Sequence, residues 1–183
     1  MKNFILSSAA LFAFAVLGTN SLSAQTTSTS NEATTTVNIN LQDVISIDAG
    51  SVAAGGVVDF NYTNTTDYNN DKTVGVKNSL VVTSSKAFDV KVKADGENFE
   101  NGAAVIPVDV LKIKAVEGGS MTGTKNEITL STEDQVLVSA ADLGARRSLN
   151  IDYTIPAEKA QTVLLGKPEG KYTQTVTYTA TTN

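Results

Sequence analysis

The chain of 183 residues contains no histidine, no cysteine and no tryptophan, and only three prolines. These absences remove much of the common catalytic repertoire. A Ser-His-Asp triad and a Cys-His pair cannot be built, imidazole and thiolate metal sites are excluded, and the side chain that most readily moves protons near neutral pH is missing. Ser-x-x-Lys, the spacing of a lysine-activated serine, does not occur; Thr83-Ser-Ser-Lys86 and Thr122-Gly-Thr-Lys125 have the spacing with the wrong leading residue and read as turns. Glu117, Glu127, Glu133 and Asp134 lie in polar, turn-like surroundings and read as solvated charges. Without disulfides, stability has to come from a hydrophobic core and backbone hydrogen bonding. The expectation is a protein that is not an enzyme and carries no cofactor.

What the chain has at its start is Lys2, an apolar run from Phe4 to Val16, and small residues at Ser23 and Ala24 before polar Gln25. That layout reads as a secretory signal peptide over residues 1–24, cleaved near Ala24, giving a secreted, periplasmic or cell-surface protein. The run is interrupted by Ser7, Ser8, Gly18 and Thr19, short of the roughly 20 apolar residues a spanning helix needs. No other segment is apolar enough, so membrane insertion is not expected. The net charge is −5, and removing Lys2 with the signal makes the remainder more acidic still, which argues against nucleic acid as a partner.

Residues 25–36 form a Thr/Ser/Asn-rich leader, and residues 37–183 are expected to make one domain. Val37, Ile39, Leu41, Ile45 and Ile47 share a parity and predict a long strand with a bulge near Asp43 and Val44. Val58, Phe60 and Tyr62 alternate in a second. Val74, Val76, Leu80 and Val82, and then Phe88, Val90 and Val92, predict two strands joined as a hairpin through Ser84-Ser85-Lys86. A bulged strand is expected over Val105 to Ala115, with Pro107 favouring an edge. Shorter strands follow at Ile128 and Leu130, at Val136 and Val138, and from Leu149 to Ile155. Pro156 ends that last one, Ala157 to Leu165 reads as one or two helical turns closed by Gly166, and a final strand carries Tyr172, Val176, Tyr178 and Ala180. Roughly eight to ten short strands with almost no helical periodicity describe an all-β, antiparallel β-sandwich, a closed barrel being the alternative. Its expected core is Val37, Ile39, Leu41, Phe60, Leu80, Val82, Phe88, Val90, Val92, Ile151, Tyr153, Val176 and Tyr178.

In the polar stretch from Thr63 to Lys72, Asp67, Asn69 and Asp71 have the Asp-x-Asn-x-Asp spacing that opens a calcium loop, where alternate oxygens converge on one hard cation. Lys72 then stands where the sharp-turn glycine belongs, and Asn78 where the bidentate glutamate belongs. An Asn/Asp turn is the expectation and calcium the alternative.

The two ends of the chain resemble fimbrial subunits, the immunoglobulin-like pilins of chaperone and usher systems. Val37, Ile39 and Leu41 follow a polar leader, Gly170 is fourteenth from Asn183, and Tyr172, Val176 and Tyr178 share a face after it. The chain departs from that family in having Thr182 as its penultimate residue, Gln174 within the apolar face, and no cysteine pair. The run from Gly170 to Tyr178 is also similar to the closing strand of WxL-type and spore-coat-U-like surface domains, although the tryptophan and cysteines of those families are missing. The resemblance implies an immunoglobulin-like Greek-key sandwich and a structural or adhesive surface protein. Its partners would be itself or related subunits, joined by strand exchange through Val37, Ile39, Leu41, Ile45 and Ile47. The alternative is a secreted module binding surface glycan or peptidoglycan through polar loops such as Thr63 to Lys72.

Overall fold

A computed structural model describes residues 33–48, 51 and 56–183. Residues 1–24, read above as an export signal, and the leader from 25 to 32 lie outside the described residues. The chain divides into two units, Met1–Ile39 and Asn40–Asn183. Within the first, residues 33–39 have no regular structure.

The second unit is an all-β, antiparallel sandwich with eleven strands among the described residues. One sheet has the order β1-β2-β10-β6-β8, built from Ile45–Ile47, Lys72–Ser84, Gly144–Ile155, Lys112–Val116 and Glu127–Thr129. The second has the order β11-β3-β9-β7, from Val176–Thr182, Phe88–Ala94, Gln135–Ala141 and Thr124–Lys125. β4 (Asn98–Asn101) and β5 (Ala104–Pro107) form a separate ribbon. From β2 onward, consecutive strands of the two main sheets alternate between them, so most connections cross the sandwich. Each sheet turns one parity inward. β3 alternates strictly between buried and half-buried residues, and Leu80, Val82, Phe88, Val90, Val92, Ile113, Leu137, Leu149 and Ile151 are fully enclosed between the sheets.

Several expected strands are corrected. The strand expected from Val37 to Ile47 is laddered with β2 only at Ile45–Ile47, with one further backbone bond from the Ser85 amide to the Val44 carbonyl (2.9 Å), because β2 ends at Ser84 and the chain then leaves that sheet. Val37, Ile39 and Leu41 are consequently 78%, 80% and 88% exposed and do not belong to the core. The hairpin expected between β2 and β3 is instead a corner between sheets: the Ser84 hydroxyl donates to the Lys86 carbonyl (2.7 Å) and accepts from the Lys86 amide (3.2 Å). Residues 56–63 make no strand, although Val58, Phe60 and Tyr62 pack against the core as their alternation requires. Val105 to Ala115 is broken by a 3-10 turn at Val108–Val110, and Pro107 ends the edge ribbon, where its missing N–H is tolerated.

Irregular backbone keeps the long strands in phase. Between Val76↔Ile151 and Leu80↔Leu149 β2 spends four residues against two on β10, and Asn78 takes up the excess at φ 50 while its amide donates to the Asn150 side chain (2.8 Å). The expected helical turns after Pro156 are present as α2 (Ala157–Lys159), continued by a π turn over Ala160–Leu164 and closed by Gly166 at φ 86.

Candidate functional site

Two regions bear on function: the side of the sandwich bounded by β1 and β11, and the polar loop before β2. On that side each sheet ends, among the described residues, in a strand with one partner, β1 beside β2 and β11 beside β3. Ile45 and Ile47 pack against the core from one sheet, and Val176, Tyr178 and Ala180 from the other, each only partly buried. Of the five residues expected to act in strand exchange, Ile45 and Ile47 are therefore seated in the chain's own sheet. Val37, Ile39 and Leu41 are not, and neighbouring Val44 is also exposed.

Tyr178 links the two sheets. Its hydroxyl lies 2.7 Å from that of Tyr153 on β10, which is 3.3 Å from the Ser79 hydroxyl on β2. Burial, then the neighbouring Tyr153, holds the Tyr178 phenol well above its ordinary range. Strand parity placed both rings inward; nothing in the sequence showed that they meet.

The β11 backbone presents a second feature that side-chain patterning does not reveal. The Thr173 and Asn183 amides donate to Glu100 and Ala87, and the Thr175 carbonyl accepts from Asp95. Register along β3 is unbroken from Val176↔Ala94 to Thr182↔Phe88. In an antiparallel ladder a residue's N–H and C=O point the same way. Odd-numbered residues therefore bond to β3, and the N–H and C=O groups of Val176, Tyr178, Ala180 and Thr182 face away from it.

The polar loop folds as a short helix, α1 (Thr65–Asn69), with a capping box: the Asn64 side chain accepts from the Asp67 amide (3.2 Å), and the Asp67 carboxylate accepts from the Asn64 amide (3.2 Å). Asp67 also accepts from the Thr63 amide (2.8 Å) and from Lys72 Nζ (2.6 Å). The Lys72 hydrogen bond, then those from the backbone, hold its carboxyl down at about 2. Asn69 accepts from Gln161 (3.4 Å) and Asp71 from the Ala157 amide (2.8 Å). The three oxygens of the expected calcium motif thus serve three different partners. Helical backbone separates Asp67 from Asn69 by roughly 200°, and Asp71 follows the end of α1. Among the described residues no group of three or more acidic side chains is placed to hold a metal ion. The Asn64-x-x-Asp67 cap was readable in the sequence as a helix start.

Tyr62 and Tyr68 pack at 4.9 Å beside this helix, with Lys72 Nζ 5.1 Å from the Tyr62 ring. Burial, then Asp67, pushes the Tyr62 phenol up to about 12, and its hydroxyl is enclosed without a hydrogen-bond partner among the described residues. The ring faces are engaged within the loop. A shallow depression elsewhere is lined by Val108, Leu130, Glu97 and Asp109, and the Asp109 carboxylate is already paired with Lys159 (2.8 Å). No helix among the described residues is long and apolar enough to cross a membrane. Compared with known proteins, the chain matches no family model and no curated protein.

Proposed function

We propose that the chain is an exported, non-enzymatic structural or adhesive surface protein whose arm, residues 37–43, adds as a strand to the sheet of a neighbouring copy or related subunit. The observation that carries this reading is the contrast within one alternating run. Ile45 and Ile47 pack on the sandwich, whereas Val37, Ile39 and Leu41 expose most of their apolar surface. Leaving three large aliphatic side chains in water on one parity forgoes about 1.5–3 kcal/mol each, which strand addition recovers. The absence of histidine and cysteine, and the engagement of Asp67 in a helix cap and of Asp109, Glu117 and Glu127 in ion pairs, support a role that needs no chemistry.

Sedimentation of the purified exported chain and its Ile39→Asp variant tests the arm. The variant should melt like the parent, because Ile39 is exposed, and should be less associated. If it unfolds, the arm belongs to its own sandwich. If it stays folded and assembles like the parent, the arm completes no sheet and the reading fails. Export is tested separately by the mass of the secreted chain, which should begin at Gln25.

A further inference from the structure

Edge strands in β proteins are normally guarded. Charged side chains, proline, a bulge or a very short strand keep unpaired N–H and C=O groups from pairing with another molecule. β11 has none of these. From Tyr172 to Asn183 there is no charged residue and no proline, and the ladder with β3 runs without a register shift. The guard is missing at the edge alone: on β3 the outward partners of Thr181, Thr179 and Thr177 are Asp89, Lys91 and Lys93. Outward positions are threonines, Thr173 and Thr175 just before β11 and Thr177, Thr179 and Thr181 within it, which favour extended backbone and add little apolar surface.

We infer that β11 pairs with β11 of a second copy, antiparallel about a two-fold axis at Thr179, joining two four-stranded sheets into one. The edge is complementary to itself in that register. Thr179 lies opposite its own symmetry mate and Thr177 opposite Thr181, so the outer face is a row of Thr–Thr pairs, a favourable cross-strand combination. The residues whose backbone groups face the edge pair with one another, Val176 with Thr182 and Tyr178 with Ala180. That makes roughly eight hydrogen bonds across the junction. Directly opposed residues in an antiparallel pair share a face, so Val176, Tyr178 and Ala180 stay inward in both copies. Such an isologous contact closes on itself and stops at a dimer. It does not use the arm, so it stands or falls independently of the strand-exchange reading.

Cysteine pairing tests it, since the chain has no thiol of its own. Thr179→Cys should give a disulfide-linked dimer under mild oxidation, because non-hydrogen-bonded partners bring Cα atoms to about 4.5 Å. Thr177→Cys and Thr181→Cys should each remain single when alone and cross-link when mixed, since Thr177 and its own mate are four residues apart, roughly 13 Å. Ala180→Pro removes an edge-facing N–H and leaves the β3 ladder intact, so it should keep the fold and abolish the dimer in sedimentation. Failure of Thr179→Cys to cross-link, cross-linking of Thr177→Cys alone as fast as the mixture, or a dimer unaffected by Ala180→Pro would each overturn the inference. Repeating the Thr179→Cys reaction without residues 25–43 separates the two readings. Cross-linking that persists supports edge pairing; cross-linking that disappears assigns the association to the arm and overturns the β11 dimer alone.

Discussion

The hydroxyl pair between Tyr153 and Tyr178 sets a measurable cost for undocking the last strand. Tyr178→Phe deletes one member of a 2.7 Å hydrogen bond and leaves Tyr153 its longer contact to Ser79 at 3.3 Å. The ring still packs, so the loss should be about 1 kcal/mol, seen as a fall of roughly 2–4 °C in melting temperature for a domain of this size. Tyr153→Phe leaves two hydroxyls, those of Tyr178 and Ser79, without their shared partner and should cost more, about 1–3 kcal/mol. Replacing both tyrosines should cost less than the sum of the single changes, because the second change removes a group already orphaned by the first; thermal melts of the four proteins give the coupling.

The same pair fixes the alkaline limb of stability. In the unfolded chain tyrosine ionises near pH 10, whereas the folded protein holds the Tyr178 proton to higher pH. Above about pH 10 the folded state therefore binds more protons than the unfolded state, and stability declines as pH rises, by about 1.4 kcal/mol per pH unit for one tyrosine. Below that pH the contribution is fully present. Tyr62 adds to the decline between its ordinary value of 10 and its folded value of about 12. Tyr178→Phe should thus be less stable than the parent at neutral pH yet lose stability less steeply in alkali. Parallel alkaline slopes in the two proteins, or strictly additive melts in the cycle, would refute the bridge.

Val90 is fully buried on the central part of β3, between Ala180 and Val138, so Val90→Asp places an unpaired carboxylate in an apolar core. A cost of about 4 kcal/mol or more against a total of about 5–15 should abolish the cooperative thermal transition, and a parent-like melt would contradict the facing assignment. Asn64→Ala removes the α1 cap and should lower stability by about 1 kcal/mol, read by denaturant titration. Asp67 titrates at about 2 in the folded protein against an ordinary 3.8, so its contribution is present above pH 3.8 and lost as pH falls toward 2. Asp67→Asn should flatten stability across that acid window, and carboxyl NMR on the parent should show the depressed midpoint directly.

How far the sequence could be read depended on whether a feature lies in one strand or between two. Parity along a single strand is local, and it placed Leu80, Val82, Phe88, Val90, Val92, Ile151 and Tyr153 in the core, where all are buried. Partner choice is not local. Val82 and Phe88 face inward equally well from a hairpin or from opposite sheets, so the Ser84-Ser85-Lys86 corner carried no sign of which it makes. Alternation likewise reports which side chains find apolar surroundings, not whether the backbone beside them finds a ladder. Phe60 has the first without the second, and Ile39 has neither, although both lie in runs with the same pattern. The stretch around Asp67 reads in the sequence as an Asn/Asp turn with calcium as the alternative; the Asn64 cap makes it a short helix over Thr65–Asn69, with Asp71 beyond its end.

The free edge of β11 combines both kinds of information. Lack of charge from Tyr172 to Asn183 is written in the sequence. Yet a run without charge is an ordinary property of a central strand, where both ladders are filled, and it becomes unusual only once β11 is found at the end of its sheet. Composition and position together make the edge competent to pair, and neither does so alone. A single charge on the outward row tests this. Thr179→Lys leaves the inward face and the β3 ladder untouched, while the two-fold axis sets each new ammonium against its mate, and like charges directly opposed destabilise a strand pair. The new ammonium also stands opposite Lys91 on β3, so the variant should stay folded but melt about 0.2–1 kcal/mol below the parent, and should shift the sedimenting species to monomer. Dimer that survives Thr179→Lys at low salt would show that the copies do not meet at that residue.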